Sequence, residues 1–184
     1  MSWRDAVPLI RAAARHEIPA IERVILAAFA EFRGEIPAPI FQSYMADLCR
    51  LAEHWDDAEV LVAELDGRIA GTASFYADAS AERLGLPKGW AGFRRLAVDP
   101  ALRGRGIGRL LTERCVDAAR ARGAPAIALH AASFLKAACG IYEKSGFRRC
   151  PEYDLRAAEI LKLPGVGDVA VIAYKLDLAA SQSR

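Results

Sequence analysis

The chain has 184 residues, a length that suits a single domain over 1–184 with a real core. Hydrophobic residues make up 53%, but many are alanine, so that core is less bulky than the figure suggests; the formal net charge of +2 gives no global case for nucleic-acid binding. No apolar run approaches the ~20 residues of a membrane span, and Arg4, Asp5 and Arg11 interrupt any leader-like segment, so the expected place is the cytoplasm, with no membrane partner.

Residues 7–13 are expected to form a first strand. Residues 16–32 read as a helix, because Ile18, Ile21, Ile25, Ala28, Phe29 and Phe32 share one stripe; Pro19 fits its first turn, and Gly34 and Pro37 end it. A second helix is expected over 40–55, where Phe41, Tyr44, Met45, Leu48, Leu51 and Ala52 lie three and four apart. The polar connection 31–39 is either a substrate loop or an ordinary helix–helix turn. Residues 59–65 and 68–76 flank Asp66-Gly67, the best hairpin signal in the chain. A loop follows over 77–89, then a strand over 90–98. Further on, 126–130 reads as a short buried strand and 135–145 as a helix stopped by Gly146. Residues 147–155 and 169–176 read as two closing strands around an irregular excursion at 156–168, and the tail after Leu178 is expected to fray.

The stretch 96–108, Leu-Ala-Val-Asp-Pro-Ala-Leu-Arg-Gly-Arg-Gly-Ile-Gly, organises the rest. A strand ends at Asp99-Pro100, a loop carries Gly104, Gly106 and Gly108, and a helix begins at once. Ile107, Leu110, Leu111, Cys115, Ala118 and Ala119 share its apolar face, Arg109, Thr112, Glu113, Asp117 and Arg120 lie mostly off it, and Gly123 and Pro125 stop it. Unpaired amides and the positive dipole end of a first turn, reached over glycines, make an anion site most natural for phosphate. Arg94, Arg95, Arg103, Arg105 and Arg109 form a local cluster suited to a few phosphates. A mononucleotide loop would need Lys-Ser/Thr after the glycines, and Arg109 stands where a dinucleotide fingerprint needs its third glycine, so a nucleotide-binding domain is disfavoured. What remains is Arg103-x-x-Gly106-x-Gly108.

That pattern resembles the acyl-coenzyme A loop of the GCN5-related N-acetyltransferases, and the element order matches theirs over nearly the whole chain. The resemblance implies an α/β fold with a mixed, mostly antiparallel central sheet of about seven strands and helices on both faces. It implies acetyl-coenzyme A as co-substrate, no metal, and pyrophosphate held by the backbone of Arg103, Gly104, Arg105, Gly106, Ile107 and Gly108. It also implies that the strand splays from its neighbour at a bulge, so that the backbone of Leu96, Ala97 and Val98 pairs with the pantetheine amides as an added strand would. A second segment, Ala138-x-x-x-Tyr142-x-x-x-Gly146-Phe147, looks like the family's second coenzyme A segment, in which Tyr142 would face the thioester sulfur and protonate the leaving thiolate. Leu135 stands seven residues before Tyr142, where the family often carries Asn.

The general base is not marked. Many relatives place Glu where Gly92 lies here, which leaves Glu64, Asp78, Glu82 and His130, or ordered water, to accept the proton. For His130 the plainer reading is a hydrogen-bonded core histidine. The four cysteines, Cys49, Cys115, Cys139 and Cys150, show no paired or metal spacing and read as reduced thiols. None occupies a nucleophile's place, so direct attack by an amine of a small molecule or peptide is expected rather than an acyl-enzyme. The rival is a non-catalytic acyl-coenzyme A sensor. A monomer and a homodimer are both open.

Overall fold

The Asp66-Gly67 turn sets the first register. Both residues have positive φ, 51° and 72°, the type I′ geometry whose twist suits a two-residue hairpin. It joins β2 (Glu59–Leu65) to β3 (Arg68–Tyr76), which pair antiparallel with a bulge between Ala63 and Glu64. β1 (Leu9–Ala12) adds to the outer edge of β2 and β4 (Ala91–Val98) to β3. In this computed structural model, which describes residues 7–178, the sheet continues past β4 through β5 (Ala126–Ala132), β8 (Ala170–Asp177) and β6 (Arg148–Arg149), with β7 (Leu155–Arg156) also paired to β8. The only parallel pair among the described strands is β4 with β5 (Ala126–Ala132), joined by the crossover helix α3 (Ile107–Ala121). The frayed tail expected after Leu178 lies outside the described residues.

Helices cover both faces. Helices α1 (Ile18–Phe29) and α2 (Ala38–Leu48) bury Ile21, Ile25, Phe29 and Leu48 against Val60, Val62 and Ala97. On the other face α3 and α4 (Lys136–Lys144) bury Leu111, Cys115 and Tyr142 against Phe75, Phe93 and Leu129. Thr112, which the apolar pattern leaves off the buried face of α3, is buried and donates to the Gly108 carbonyl at 2.9 Å.

Three expectations need correction. The second helix stops at Leu48 rather than at residue 55, because Arg95, 47 residues away, donates to the Leu48 carbonyl and satisfies the helix end. The strand expected over 147–155 is broken into β6 (Arg148–Arg149), a 3-10 turn Pro151–Tyr153 and β7 (Leu155–Arg156). Pro151 has no amide to donate, and the Asp154 carboxylate accepts from the Ala173 amide where a strand carbonyl would otherwise stand. This break brings the described strands to eight, closing on β8 (Ala170–Asp177). The excursion at 156–168 carries a short helix α5 (Ala157–Ile160), and Asp168 accepts from the Ala158 amide.

Candidate active site

The site begins with a flaw in β4. Thr72 pairs Ala97 and Ser74 pairs Arg94, so two residues of β4, Arg95 and Leu96, stand opposite Ala73 alone. Arg95 carries the bulge with φ 55°, an unusual conformation for a side-chain-bearing residue. The extra residue shifts the alternation: Ala91 and Phe93 join the core under α3 and α4, and so do Leu96 and Val98, whereas Ala97 turns to α1. A β residue with φ > 0 needs fixed partners. The buried Arg95 guanidinium has them, reaching the Leu48 carbonyl at 3.1 Å and the Tyr76 hydroxyl at 2.9 Å.

Beyond Gly92, no strand among the described residues pairs with the other side of β4. Only Ala91 and Gly92 pair with β5, at Ile127 and Ala128. From Phe93 onward the two strands part, and a cavity of about 380 Å³ opens between them. Leu96, Ala97 and Val98 line it, as do Gly104, Gly106, Ile107 and Gly108. Gly106 caps α3 with φ 75°, a conformation glycine adopts without the cost a Cβ would bring. The first intrahelical bond runs from the Leu110 amide to the Gly106 carbonyl, which leaves the amides of 107–109 without helical acceptors at the cavity's edge.

Four of the five arginines of the cluster, Arg94, Arg95, Arg103 and Arg109, have partners within the protein. Arg95 is committed to α2 and Tyr76, Arg94 to Asp47 at 2.6 Å and Glu82 at 3.1 Å, and Arg109 to Glu113 at 2.7 Å. Arg103 ties the loop to the end of α1 and the turn after it, through the Ala28 carbonyl at 2.9 Å and Glu31 at 2.7 Å. Arginines standing among carboxylates and carbonyls form charge-assisted bonds to them. Of the loop residues expected to bind, Arg103, Gly104, Gly106, Ile107 and Gly108 stand together at the cavity, and Arg105 is not among the residues that line it.

Tyr142 lies on the cavity wall from α4, only 5% exposed, with its ring against Phe93, Phe147 and Tyr174 at 5.8, 6.1 and 5.9 Å. Burial pushes its phenol well above the usual tyrosine range, so the hydroxyl stays protonated. Leu135 caps the start of α4 and also lines the cavity, as do Glu31 and Phe32 from the 31–39 connection; Phe32 packs on Phe134 at 5.0 Å. No cysteine lines the cavity among the described residues.

The candidate bases separate cleanly. Glu64 pairs with Arg11 between β1 and β2 at 2.7 Å, and the Asp78 carboxylate accepts from the Ser80 amide. A side chain at Gly92 would meet the Ala79 Cβ at 2.8 Å and the Glu82 carboxylate at 3.3 Å. The turn Ala79–Glu82 therefore fills the space that a residue at 92 would take, and glycine there admits it. Glu82 is buried against Arg94, and burial pushes its carboxyl up to about 7 despite Arg94 and Arg95. It does not reach the cavity wall; His130 does. Its Nε2 lies 2.9 Å from the Tyr153 carbonyl, so the hydrogen-bonded histidine expected from sequence is found, but facing the cavity.

Sequence reasoning missed the Asp47–Arg94–Glu82 chain and the structural part played by Arg95. The one available signal was the pair Arg94-Arg95 inside an otherwise apolar strand, with apolar positions 93, 96 and 98 breaking the period of two.

Comparison with known proteins agrees with this architecture. The profile of the Acetyltransferase (GNAT) family matches residues 25–147. The chain is 32% identical over 109 residues to an IAA acetyltransferase of Azospirillum brasilense, covering 59% of this chain and 65% of that protein. It spans less than two thirds of the other curated relatives it matches as well. Among solved structures, a GCN5-related N-acetyltransferase from Rhodopseudomonas palustris superposes with a TM-score of 0.69 at 19% identity, over 94% of this chain and 96% of that one. PaiA N-acetyltransferase from Thermoplasma acidophilum, solved with coenzyme A, gives 0.66 at 13% identity, over 94% and 99%. At those identities the structural likeness speaks for the fold, and the profile carries the assignment: the chain belongs to the acetyltransferase (GNAT) family.

Proposed function

We propose that this chain is an acetyl-coenzyme A-dependent N-acetyltransferase acting by direct attack of a primary amine, most simply that of a small molecule. The observation that carries the reading is the convergence on one cavity of three things: the edge of β4 beyond Gly92, the open first turn of α3, and Tyr142.

Each suits one part of the co-substrate. The backbone of Leu96, Ala97 and Val98 has free edge groups for the pantetheine amides, which demands little of the side chains. The amides of 107–109 and the α3 dipole favour the pyrophosphate. The thioester would supply the acetyl group. The parent thiol of the departing thiolate has a pKa of about 8.5 if it behaves like cysteine, below that of a buried phenol, but proton donation from Tyr142 still spares the cavity a bare thiolate. The absence of a cavity-lining cysteine among the described residues agrees with direct attack.

Release of free thiol from acetyl-coenzyme A, followed against a panel of small primary amines and peptide N-termini, tests the proposal. Amine-dependent release with at least one acceptor is expected. Tight acyl-coenzyme A binding with no release against any amine would replace the transferase by a sensor.

A further inference from the structure

An alkyl ammonium acceptor has a pKa near roughly 10.4 and must lose a proton before its nitrogen can attack. The ionisable groups on the cavity wall are few. Glu31 is held by Arg103; Arg94, Arg95, Arg103 and Arg109 are permanently charged; burial pushes the Tyr44 phenol up to about 12, so that it holds its proton; and Tyr142 is a proton donor. Glu82, in the turn that fills the side-chain place at Gly92, is buried under Arg94 and away from the wall. That leaves His130.

Its tautomer follows from its partner. A carbonyl oxygen only accepts, so the 2.9 Å contact with Tyr153 requires the proton on Nε2. Neutral imidazole then has its lone pair on Nδ1, for which no partner is found among the described residues. We propose that His130 is the general base of the transfer, its Nδ1 taking the proton of the acceptor ammonium while the Tyr153 carbonyl holds the other proton on Nε2. This rests on the transferase reading above.

The balance is simple. The first ammonium proton passes to Nδ1 and from there to solvent. The amine lone pair forms the N–C bond to the acetyl carbon, and the C–S bonding pair leaves with sulfur. Tyr142 gives that sulfur a proton, and the second N–H proton, lost as the amide forms, makes up the one Tyr142 has given. One proton is released for each ammonium acetylated.

The surroundings keep His130 ready. Burial lowers its pKa below the ordinary 6.5, and Arg94 on β4 lowers it too; the bond to Tyr153 and the Asp154 carboxylate oppose this without reversing it. On β8 the residue opposite is Ala173, which carries no charge. At neutral pH the imidazole is therefore unprotonated and can accept.

The test compares wild type with His130→Gln, which retains an amide donor for the Tyr153 carbonyl. The kcat profile of wild type should fall in an acid limb below pH 6.5 that stays in place when the acceptor is exchanged for one of different pKa. His130→Gln should lose about 10²- to 10⁴-fold in kcat, lose that limb, and bind acetyl-coenzyme A with unchanged affinity. His130→Ala should regain at least tenfold on addition of imidazole. Long-range 15N–1H spectra of wild type, independent of turnover, should show the Nε2–H tautomer. A near-normal kcat in folded His130→Gln, or an Nδ1–H tautomer, overturns the assignment of the base and leaves the transferase reading standing. Should His130→Gln fail to fold, absence of imidazole rescue in His130→Ala overturns it equally. Failure of wild type to release thiol with any amine instead overturns the transferase reading, and the base with it.

Discussion

Gly106 and Gly123 sit at opposite ends of α3 in the same backbone region, with φ 75° and 70°, and a Cβ at either would meet nothing within 4 Å. Valine at either position therefore brings the same strain and no clash. A side-chain-bearing residue in the left-handed region costs about 1–2 kcal/mol. At 2–4 °C per kcal/mol for a chain of this size, both variants should melt roughly 2–8 °C below wild type and remain folded. Their binding should differ. At Gly123 the added methyls project from the far end of the helix. At Gly106 they enter the cavity beside the amides of 107–109. Two charge-assisted hydrogen bonds to phosphate lost at about 1.5–3 kcal/mol each amount to roughly 10²- to 10⁴-fold in affinity. Calorimetric titration with coenzyme A on both variants, beside their melts, reads the two effects separately. Equal affinities in Gly106→Val and Gly123→Val would refute the backbone phosphate site, since the strain is matched and only the location differs.

Tyr142→Phe keeps the ring packed on Phe93, Phe147 and Tyr174, so steady-state kinetics should show kcat lower by about 10²- to 10⁴-fold with acetyl-coenzyme A affinity nearly unchanged. Near-normal turnover with chemistry rate-limiting would remove the phenol from the mechanism. Glu82, raised from 4.5 to about 7, is protonated in the folded state over a window where the unfolded chain has released its proton. Stability should therefore fall as pH rises through that window, by on the order of 1–3 kcal/mol, and stay low above it. Melts of Glu82→Gln between pH 5 and 8 should be flatter than those of wild type, and parallel curves would show that the carboxyl titrates normally. Arg95→Met removes the donors that reach the Leu48 carbonyl and the Tyr76 hydroxyl, leaving both buried ends unpaired. The expected cost of about 2–4 kcal/mol is a drop of roughly 4–16 °C in Tm, and a drop under about 2 °C would mean water replaces the guanidinium.

Local chemistry was legible in the sequence. The Asp66-Gly67 turn, the apolar stripes of α1 and α3, the stop at Gly146 and the glycine loop are written in neighbouring residues, because turn geometry and the 3.6-residue period involve only nearby atoms. The meeting of that loop with Tyr142 was expected only from the family resemblance, and in space both line one cavity. What needed the tertiary structure is whatever joins distant residues. Arg95 ends α2 across 47 residues and fixes the bulge that turns Ala97 to one face and Leu96 to the other. Asp154 reaches the Ala173 amide and breaks the strand that residues 147–155 alone would make. Gly92 is a missing carboxylate when read along the chain, and in space it is the gap into which the turn Ala79–Glu82 folds. His130 reads as a core histidine because its strand is apolar; only the parting of β4 from β5, set by where their hydrogen bonds stop, leaves it facing a cavity. Period and composition record which residues are buried, and they carry no information about which buried residues meet.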